Sequence, residues 1–282
     1  KAIKNKENFW VKLPKPIMAL APMADVTDMA FRRIIAKYGK PDVMWTEFVS
    51  ADGLMSLGRE VLLNDLKYSE AERPIIAQLF TGHAEKMKEA GAMVRKLGFD
   101  GLDINMGCPD RSVEKQGGGA AMIKDTKNAL AVLEAAREGS RMPVSIKTRI
   151  GYNKIDIDGW IGFLLEQKLP ALTVHLRTRK EMSDVPAHWE LMAEIIKLRD
   201  KISPETLILG NGDIVSIKDA KAKVKETGCD GVMIGRGIFG NPWFFSGIAD
   251  ICITDKLNVL VEHAKLFEKL LGGVKNFSIM KK

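Results

Sequence analysis

Residues 101–149 contain one strand–helix–strand unit, and this unit decides the fold. It starts with the apolar run "GLDINM" (101–106), continues through the amphipathic segment "DTKNALAVLEAAREG" (125–139), and ends with "PVSIKTR" (143–149). Two apolar strands joined by a helix of this length indicate parallel pairing, because parallel strands need a long crossover connection. The unit therefore predicts a parallel sheet covered by helices.

The same alternation continues along most of the chain. Apolar strands are predicted at eight places: 17–23, 42–48, 74–80, 101–106, 143–149, 171–177, 206–212 and 231–237. Helical patterns lie between them, and several end in glycine, a residue common just past a helix C-terminus. Eight such units favour an α/β fold of the (β/α)₈ TIM-barrel type. An open sheet of six or seven strands, with one or two strands wrongly assigned, is the alternative.

After Gly240 the pattern becomes purely helical. We therefore expect a barrel catalytic domain at residues 1–245 and the start of a C-terminal helical appendage at residues 246–282. The chain begins at Lys1 and stops in "NFSIMKK", within a helical pattern. Both ends are expected to be trimmed, and the appendage to be truncated.

The composition is that of a soluble globular protein, with 46% apolar and 28% charged residues in 282. The chain lacks a run of eighteen apolar residues and a signal-peptide core, which predicts a cytoplasmic protein without membrane contact. Cys108, Cys229 and Cys252 lie far apart, so neither a disulfide framework nor a metal site is expected. The net charge of +7 suits a polyanionic partner such as nucleic acid but does not require one.

Polar or glycine-containing groups follow nearly every predicted strand. In a TIM barrel the C-terminal strand ends form the active site, and a barrel end kept only for stability would not need such convergence. The pattern therefore indicates an enzyme. The groups are Pro22-Met23-Ala24, Glu47, Gln78, Asn105 with Cys108, Lys147 with Arg149, His175 with Arg177, Asn211-Gly212-Asp213 and Gly235-Arg236-Gly237.

The last two strands end in "GNGD" (210–213) and "IGRG" (234–237). Barrels often bind phosphate after strands seven and eight, on backbone amides and a short helix N-terminus. Glycine lets the backbone approach a phosphate closely, and Arg236 can supply positive charge. Each motif is also compatible with an ordinary turn, but together they favour a phosphate site.

Three strand residues have two interpretations each. Lys147 within "PVSIKTR" either meets an anion or electron-rich ring at the barrel mouth or points outward into water. Gln78 either presents its amide to the edge of a heterocycle or is a solvated loop residue. His175 is as compatible with a satisfied core histidine as with a site residue.

Cys108 stands between Gly107 and Pro109 and precedes three glycines at 117–119. It has no metal-ligand set around it and no base beside it in sequence to make it a nucleophile. A thiol with a pKa of ~8.5 is mostly protonated at neutral pH, so the role open to it is that of proton donor. The glycines would let its loop open and close over a substrate. The alternative is a free cysteine in a tight turn.

Eight motifs then occur in order across roughly residues 14–245: "APMADVTD", "AQLF", "DINMGCP", "GGGAAM", "IKTRIG", "VHLRTR", "NGDI" and "IGRGIFGNPW". In this set the chain resembles the tRNA-dihydrouridine synthases, flavin enzymes that reduce specific uridines in tRNA to 5,6-dihydrouridine. "DINMGCP" is most similar to the bacterial subgroup called DusB.

The resemblance implies FMN as cofactor, NADPH as electron donor and tRNA as partner, and we expect a monomer. It also implies that hydride passes from the flavin to C6 of uracil while Cys108 protonates C5. Asn105 would help hold the uracil, and Arg177 and Arg179 would meet the tRNA or the surroundings of the uracil. The residues expected to hold FMN are Pro22, Met23, Ala24, Gln78, Lys147, His175, Asn211, Gly212, Asp213, Gly235 and Arg236.

Two positions depart from the family pattern. Leu176 stands where a small residue is common, and is expected to alter the pocket beside His175. His188 precedes Trp189 where an acidic residue is usual, which bears on tRNA contacts. One rival function is an FMN barrel that reduces a free pyrimidine or another small molecule. The other is a tRNA-binding protein that has lost catalysis, against which the intact Cys108, Lys147 and His175 speak.

Overall fold

The computed structural model describes residues 7–248 and 250–281. Within these residues eight parallel strands follow one another around a single sheet in the order β1-β8-β7-β6-β5-β4-β3-β2. The predicted strands are confirmed at all eight places, most of them one to three residues shorter than expected. The strands are β1 Ile17–Leu20, β2 Met44–Ser50, β3 Ile75–Phe80, β4 Gly101–Met106, β5 Val144–Arg149, β6 Ala171–His175, β7 Leu207–Asn211 and β8 Gly231–Ile234.

The sheet closes on itself between β1 and the start of β2. The backbone N–H of Leu20 donates to the carbonyl of Val43 at 3.2 Å, and that of Asp42 donates to Met18 at 2.9 Å. Ala19 and Val43 form a parallel bridge. These contacts rule out the open sheet and establish the (β/α)₈ barrel.

Helices surround the barrel in the described part of the chain. They are α1 Met29–Tyr38, α2 Ala51–Leu54, α3 Arg59–Leu62, α4 Ala84–Lys96, α5 Arg111–Lys115, α6 Thr126–Ser140, α7 Gly162–Glu166, α8 Met192–Ile202, α9 Ile217–Thr227 and α10 Ile253–Leu271. Asp28 caps α1 by accepting from the N–H groups of Ala30 and Phe31. Gly228 ends α9 in the left-handed conformation, as the glycine at the end of the helical pattern predicts.

Gly139 does not end its helix, in contrast to the sequence pattern. Helix α6 continues to Ser140, and Arg141 takes the left-handed conformation at φ 50°. A Cβ atom on Gly139 would lie 2.0 Å from the carbonyl oxygen of Lys88 in α4. This glycine therefore permits close packing of α4 against α6.

The barrel interior is apolar at the N-terminal end and polar at the C-terminal end. Trp10, from a short N-terminal 3₁₀ turn, packs against Trp45 of β2 with ring centroids 5.9 Å apart and closes the lower end. Toward the C-terminal ends of the strands, the buried residues include the polar Gln78, Asp103 and Asn105. A polar binding site can therefore lie only at the C-terminal end of the barrel.

Helix α10 packs on α1, where Phe267 and Leu271 join Met29 and Ala30 in one buried cluster. The chain then turns back over the barrel mouth, and Lys275 forms an ion pair with Glu47 at 2.6 Å. Among the helices that the structure describes, none combines the length and apolar character needed to cross a membrane.

Candidate active site

A cavity of about 460 Å³ lies at the C-terminal ends of β1, β5, β6, β7 and β8. Its lining includes nine of the eleven residues expected to hold a cofactor, together with Arg177 and Ser183. Ala24 and Gln78 are the two exceptions. The nine are Pro22, Met23, Lys147, His175, Asn211, Gly212, Asp213, Gly235 and Arg236.

The ends of β7 and β8 form a wall made largely of backbone. Asn211 donates from Nδ2 to the carbonyl of Met233 at 2.8 Å and so ties the two strands together. Gly212 has φ 132°, and a Cβ atom on Gly237 would lie 2.1 Å from the carbonyl oxygen of Ile214. Close packing within the protein therefore requires glycine at both positions, and the backbone at both lines the cavity.

Arg177 and Asp213 form an ion pair beside this wall, in which a single guanidinium nitrogen contacts both carboxylate oxygens. The Nη2 atom of Arg177 lies 2.7 and 2.5 Å from the two carboxylate oxygens, and Ala187 N donates to Asp213 at 2.8 Å. Burial raises the pKa of Asp213, but the hydrogen bonds from Arg177 and Ala187 outweigh it and hold the pKa below its usual value. The carboxylate is therefore paired with Arg177, and Arg236 at the end of β8 lines the same cavity.

Two polar groups on the cavity wall are left without partners. Within the described residues, the half-buried Lys147 makes no hydrogen bond or ion pair, and its pKa is lowered to about 8 by burial and then by nearby Arg149. The Nδ1 atom of His175 is likewise buried without a hydrogen-bond partner in the described chain. Burial and then Lys147 lower the pKa of His175 well below its usual value, so the ring is neutral at pH 7.

These observations settle two of the open interpretations. Lys147 lines the cavity and does not point outward, and His175 is not a satisfied core residue. An unpaired ammonium and an unpaired imidazole nitrogen beside a glycine wall suit a ligand that is rich in acceptors and carries a phosphate.

Gln78 lies deeper in the barrel and is fully buried. Its Nε2 donates to Asp103 at 2.7 Å, and its Oε1 accepts from Asn105 at 3.1 Å. The interpretation as a solvated loop residue is wrong. One donor and one acceptor of its amide are already engaged with protein groups, and Gln78 is not among the residues that line the cavity described above.

Asn105 turns the chain after β4. Its Oδ1 accepts from the backbone N–H groups of Gly107 at 3.1 Å and Cys108 at 2.9 Å. The Cys108 thiol is free and half-buried, and burial raises its pKa above the usual value. Cys108 is therefore protonated at neutral pH, as a proton donor must be.

Two arginines hold the loop that carries Cys108. Arg179 donates from Nη2 to Glu114 at 2.5 Å and to the carbonyl of Pro109 at 3.3 Å. Arg149 donates to the carbonyl of Gly107 at 2.9 Å and, through Nη1, to that of Thr178. Arg179 thus does not line the cavity. The sequence identified Arg149 only as one of the polar groups at a strand end and did not predict that it holds this loop.

Ala24 lies in a second cavity, of about 300 Å³, beside Glu47 and Lys275. Burial raises the pKa of Glu47, against the opposing effect of Lys275. The backbone N–H of Asp25 donates to Glu47 at 2.5 Å. The loop after β1 is therefore tied to the C-terminal segment.

The two departures from the family pattern lie off the cavity. Leu176 is fully buried on the outer side of the barrel, among the side chains under the helices. The expectation that it alters the pocket beside His175 is therefore wrong. His188 bridges Glu181 and Glu190 at 3.0 Å each, and the hydrogen bond to Glu181 raises its pKa. Within the described residues no cluster of His, Cys, Asp and Glu is suited to hold a metal ion.

Comparison with known proteins identifies relatives of this arrangement. A family described as "Dihydrouridine synthase (Dus)" matches residues 19–282. A Staphylococcus aureus (strain MRSA252) protein named "Probable tRNA-dihydrouridine synthase" is 42% identical over 267 residues, which are 94% of this chain and 81% of that protein. A Bacillus subtilis (strain 168) protein named "Probable tRNA-dihydrouridine synthase 2" is 44% identical over 241 residues, 85% of this chain and 74% of that protein.

Solved structures share the fold at much lower identity. A variant of NCR from Zymomonas mobilis is similar with a TM-score of 0.54 and 15% identity, covering 86% of this chain and 91% of that one. A morphinone reductase variant in complex with tetrahydroNAD gives a TM-score of 0.57 and 14% identity, covering 82% and 85%. At these identities the likeness supports the barrel fold alone.

Proposed function

Because this chain belongs to the dihydrouridine synthase family, we propose that it reduces specific uridines in tRNA to 5,6-dihydrouridine with FMN as cofactor and NADPH as electron donor. The observation that carries the proposal is Cys108, a thiol of the family motif that the fold holds protonated after β4. The relatives named above supply the substrate class.

The cavity residues fit FMN. The glycine ends of β7 and β8, with Arg236, would receive the phosphate, and Pro22 and Met23 at the end of β1 would pack against the ring system. The unpaired Lys147 would neutralise negative charge on the polar edge of the ring, and the neutral His175 would offer its free nitrogen. When bound, FMN supplies the hydride that reduces C6 of uracil.

The residues of this chain have three tasks in the reaction. Cys108 delivers the proton to C5, and its raised pKa keeps that proton available at neutral pH. Asn105 fixes the backbone on which the thiol stands. Arg149 and Arg179 hold the surrounding loop in place, so the donor is positioned before substrate arrives.

The substrate base must leave its stack to reach this site, at a cost of a few kcal/mol. Basic residues around the mouth can offset that cost by binding phosphates. Exposed cations lie on the loops after β4 and β6: Arg111, Lys115, Lys124 and Lys180. We also propose that residues 246–282 begin a tRNA-binding helical part beyond the catalytic barrel of residues 1–245. A tRNA substrate leads us to expect the protein in the cytoplasm.

The test is anaerobic incubation of the purified protein with NADPH and tRNA that lacks dihydrouridine. We expect a gain of two hydrogens at one or a few uridines, read by mass spectrometry of the digested tRNA. Parallel reactions with free uridine and uracil provide the control. Turnover of the free pyrimidine without change in the tRNA would replace the proposal with a small-molecule reductase.

A further inference from the structure

Asp103 is a fully buried carboxylate in the upper half of the barrel, and none of the roles above uses it. The strand register places it between Gln78 on β3 and Ser145 on β5. Its Oδ1 accepts from the Ser145 hydroxyl at 2.5 Å, and its Oδ2 accepts from Gln78 Nε2 at 2.7 Å. Both carboxylate oxygens therefore have a donor.

The hydrogen bonds continue from Asp103 to the backbone of Cys108. Gln78 Oε1 accepts from Asn105 Nδ2 at 3.1 Å. Asn105 Oδ1 then accepts from the N–H groups of Gly107 at 3.1 Å and Cys108 at 2.9 Å. Two side-chain amides thus form an unbroken path from the carboxylate to the thiol-bearing residue.

The carboxylate of Asp103 sets the order of donors and acceptors along this path. An ionised carboxylate can only accept, so Gln78 must turn its NH₂ group toward Asp103. Its carbonyl oxygen then faces Asn105, which must answer with its own NH₂ group. The Asn105 oxygen is left facing the two backbone donors. If Gln78 turned over, Asn105 would present NH₂ to N–H groups, and the turn at Cys108 would lose both hydrogen bonds.

We infer that Asp103 is a positioning residue: its carboxylate fixes the orientation of the Gln78 and Asn105 amides, and through them the backbone at Cys108. Only the catalytic use of Cys108 rests on the proposed function. The positioning itself is a property of the folded chain.

A stability role does not explain a carboxylate at this place. Burial raises the pKa of Asp103 to about 6, although the hydrogen bonds from Ser145 and Gln78 and the charge of Lys147 oppose the shift. The folded protein thus carries an unfavourable charge at neutral pH that an apolar side chain would avoid. What a carboxylate offers here is that it cannot donate a hydrogen bond, so the Gln78 amide beside it can take only one orientation.

The first readout is the rate at which iodoacetamide alkylates Cys108 in the full chain as purified, without tRNA. Cys252→Ser removes the exposed cysteine, and peptide mass spectrometry reads Cys108 alone. Asp103→Leu removes the acceptor, and we expect the alkylation rate to change about tenfold or more, within the range of coupling through one network. Asp103→Asn can either accept from Gln78 or donate to it, so it no longer restricts the amide to one orientation, and its alkylation rate is expected to lie between those of the parent protein and Asp103→Leu.

The matched control is Ser145→Ala, which removes the other hydrogen bond of Asp103 and leaves the path to Cys108 intact. Its alkylation rate should equal that of the parent protein. Gln78→Leu cuts the path one step later, and it must reproduce the effect of Asp103→Leu, so the test survives if the Asp103 variant fails to fold. An unchanged rate in a folded Asp103→Leu or Gln78→Leu protein, or an equal change in Ser145→Ala, would overturn the inference.

The second readout is the oxidation of the reduced enzyme by tRNA in a double-mutant cycle. If Asp103 acts through Cys108, Asp103→Leu should slow the step in the parent protein and have no further effect in Cys108→Ala. A loss that persists in Cys108→Ala would show a general structural role and overturn the inference. A parent protein that leaves tRNA unchanged would refute the proposed function, while the alkylation result would still decide the positioning.

Discussion

The carbonyl oxygen of Cys108 lies 2.6 Å from the place that a Cβ atom on Gly119 would occupy. The same oxygen accepts a hydrogen bond from the backbone N–H of Ala120 at 2.9 Å. Gly119 also has φ 58°, a conformation that favours glycine. The third glycine of the "GGG" motif is therefore a close packing partner of Cys108. Whether the loop opens over a substrate stays a prediction.

Gly119→Ala should displace Cys108 and lower both stability and activity. The added methyl group meets the Cys108 carbonyl at 2.6 Å and Val113 at 2.8 Å, and the backbone conformation disfavours alanine. We expect a loss of about 1–3 kcal/mol in the free energy of unfolding, measured in urea, with slower tRNA reduction. Gly273→Ala, where the methyl group meets nothing within 4 Å, is the control. Equal stability of the two variants would contradict the packing role.

Lys147→Met should stabilise the protein freed of flavin while weakening flavin binding. The ammonium is half-buried without an ion pair in the described residues, so its removal should raise the free energy of unfolding by about 1–2 kcal/mol at pH 7. The folded-state pKa of about 8 lies below the 10.5 of an ordinary lysine. The folded protein therefore binds fewer protons than the unfolded chain between these values, and the parent gains stability as the pH rises through them.

The stability advantage of Lys147→Met should accordingly shrink between about pH 8 and pH 10.5, as followed by urea unfolding at several pH values. Flavin affinity is measured in parallel by fluorescence titration. A variant that is less stable than the parent at pH 7 would contradict the expected cost of burying the ammonium. A variant that binds flavin as tightly as the parent would place Lys147 outside the cofactor site.

Glu72→Ala should be strongly destabilising, because it leaves a buried charge without its partner. Arg32 and Glu72 are both fully buried and lie 2.7 Å apart, and Arg32 also donates to the carbonyl of Thr27 in the loop after β1. Breaking such a pair costs about 3–5 kcal/mol in the free energy of unfolding. Glu70→Ala breaks an exposed pair with Arg73 and should cost less than about 1 kcal/mol. Similar costs for the two variants would refute this distinction.

The affinity for tRNA should fall steeply with salt. Each phosphate contact adds to the slope of log affinity against log salt, so four contacts should reduce affinity about 50- to 150-fold between 50 and 200 mM salt. Fluorescence anisotropy with labelled tRNA gives the slope. Neutral substitutions at Arg111, Lys115, Lys124 and Lys180 should flatten it, and an unaltered slope would move the tRNA surface elsewhere.

The sequence predicted the strands and most of the cavity because both depend on local patterns. Alternating strands and helices predict the barrel, and a barrel brings its strand ends together. That reasoning places Lys147, His175 and the glycines of β7 and β8 on one wall without knowledge of any contact between them.

The partners of those residues depend on strand register and on distant parts of the chain, which local patterns do not contain. Arg177 and Asp213 are 36 residues apart, and Lys275 and Glu47 are 228 residues apart. The sequence likewise gave no sign that Gln78 would face Asp103, because that pairing follows from the register of β3 against β4. Asp103 itself lies within the quoted "DINMGCP" motif, but the motif does not show that it is buried and hydrogen-bonded to Gln78.

The most direct test of the central claim is a single-turnover comparison of the parent protein with Cys108→Ala. The bound flavin is reduced anaerobically, tRNA lacking dihydrouridine is added, and flavin oxidation and dihydrouridine are followed together. Removing a general acid should slow dihydrouridine formation by about 10²–10⁴-fold, while flavin content and its reduction by NADPH stay unchanged. Equal rates in the two proteins would contradict the assignment of Cys108 as the proton donor.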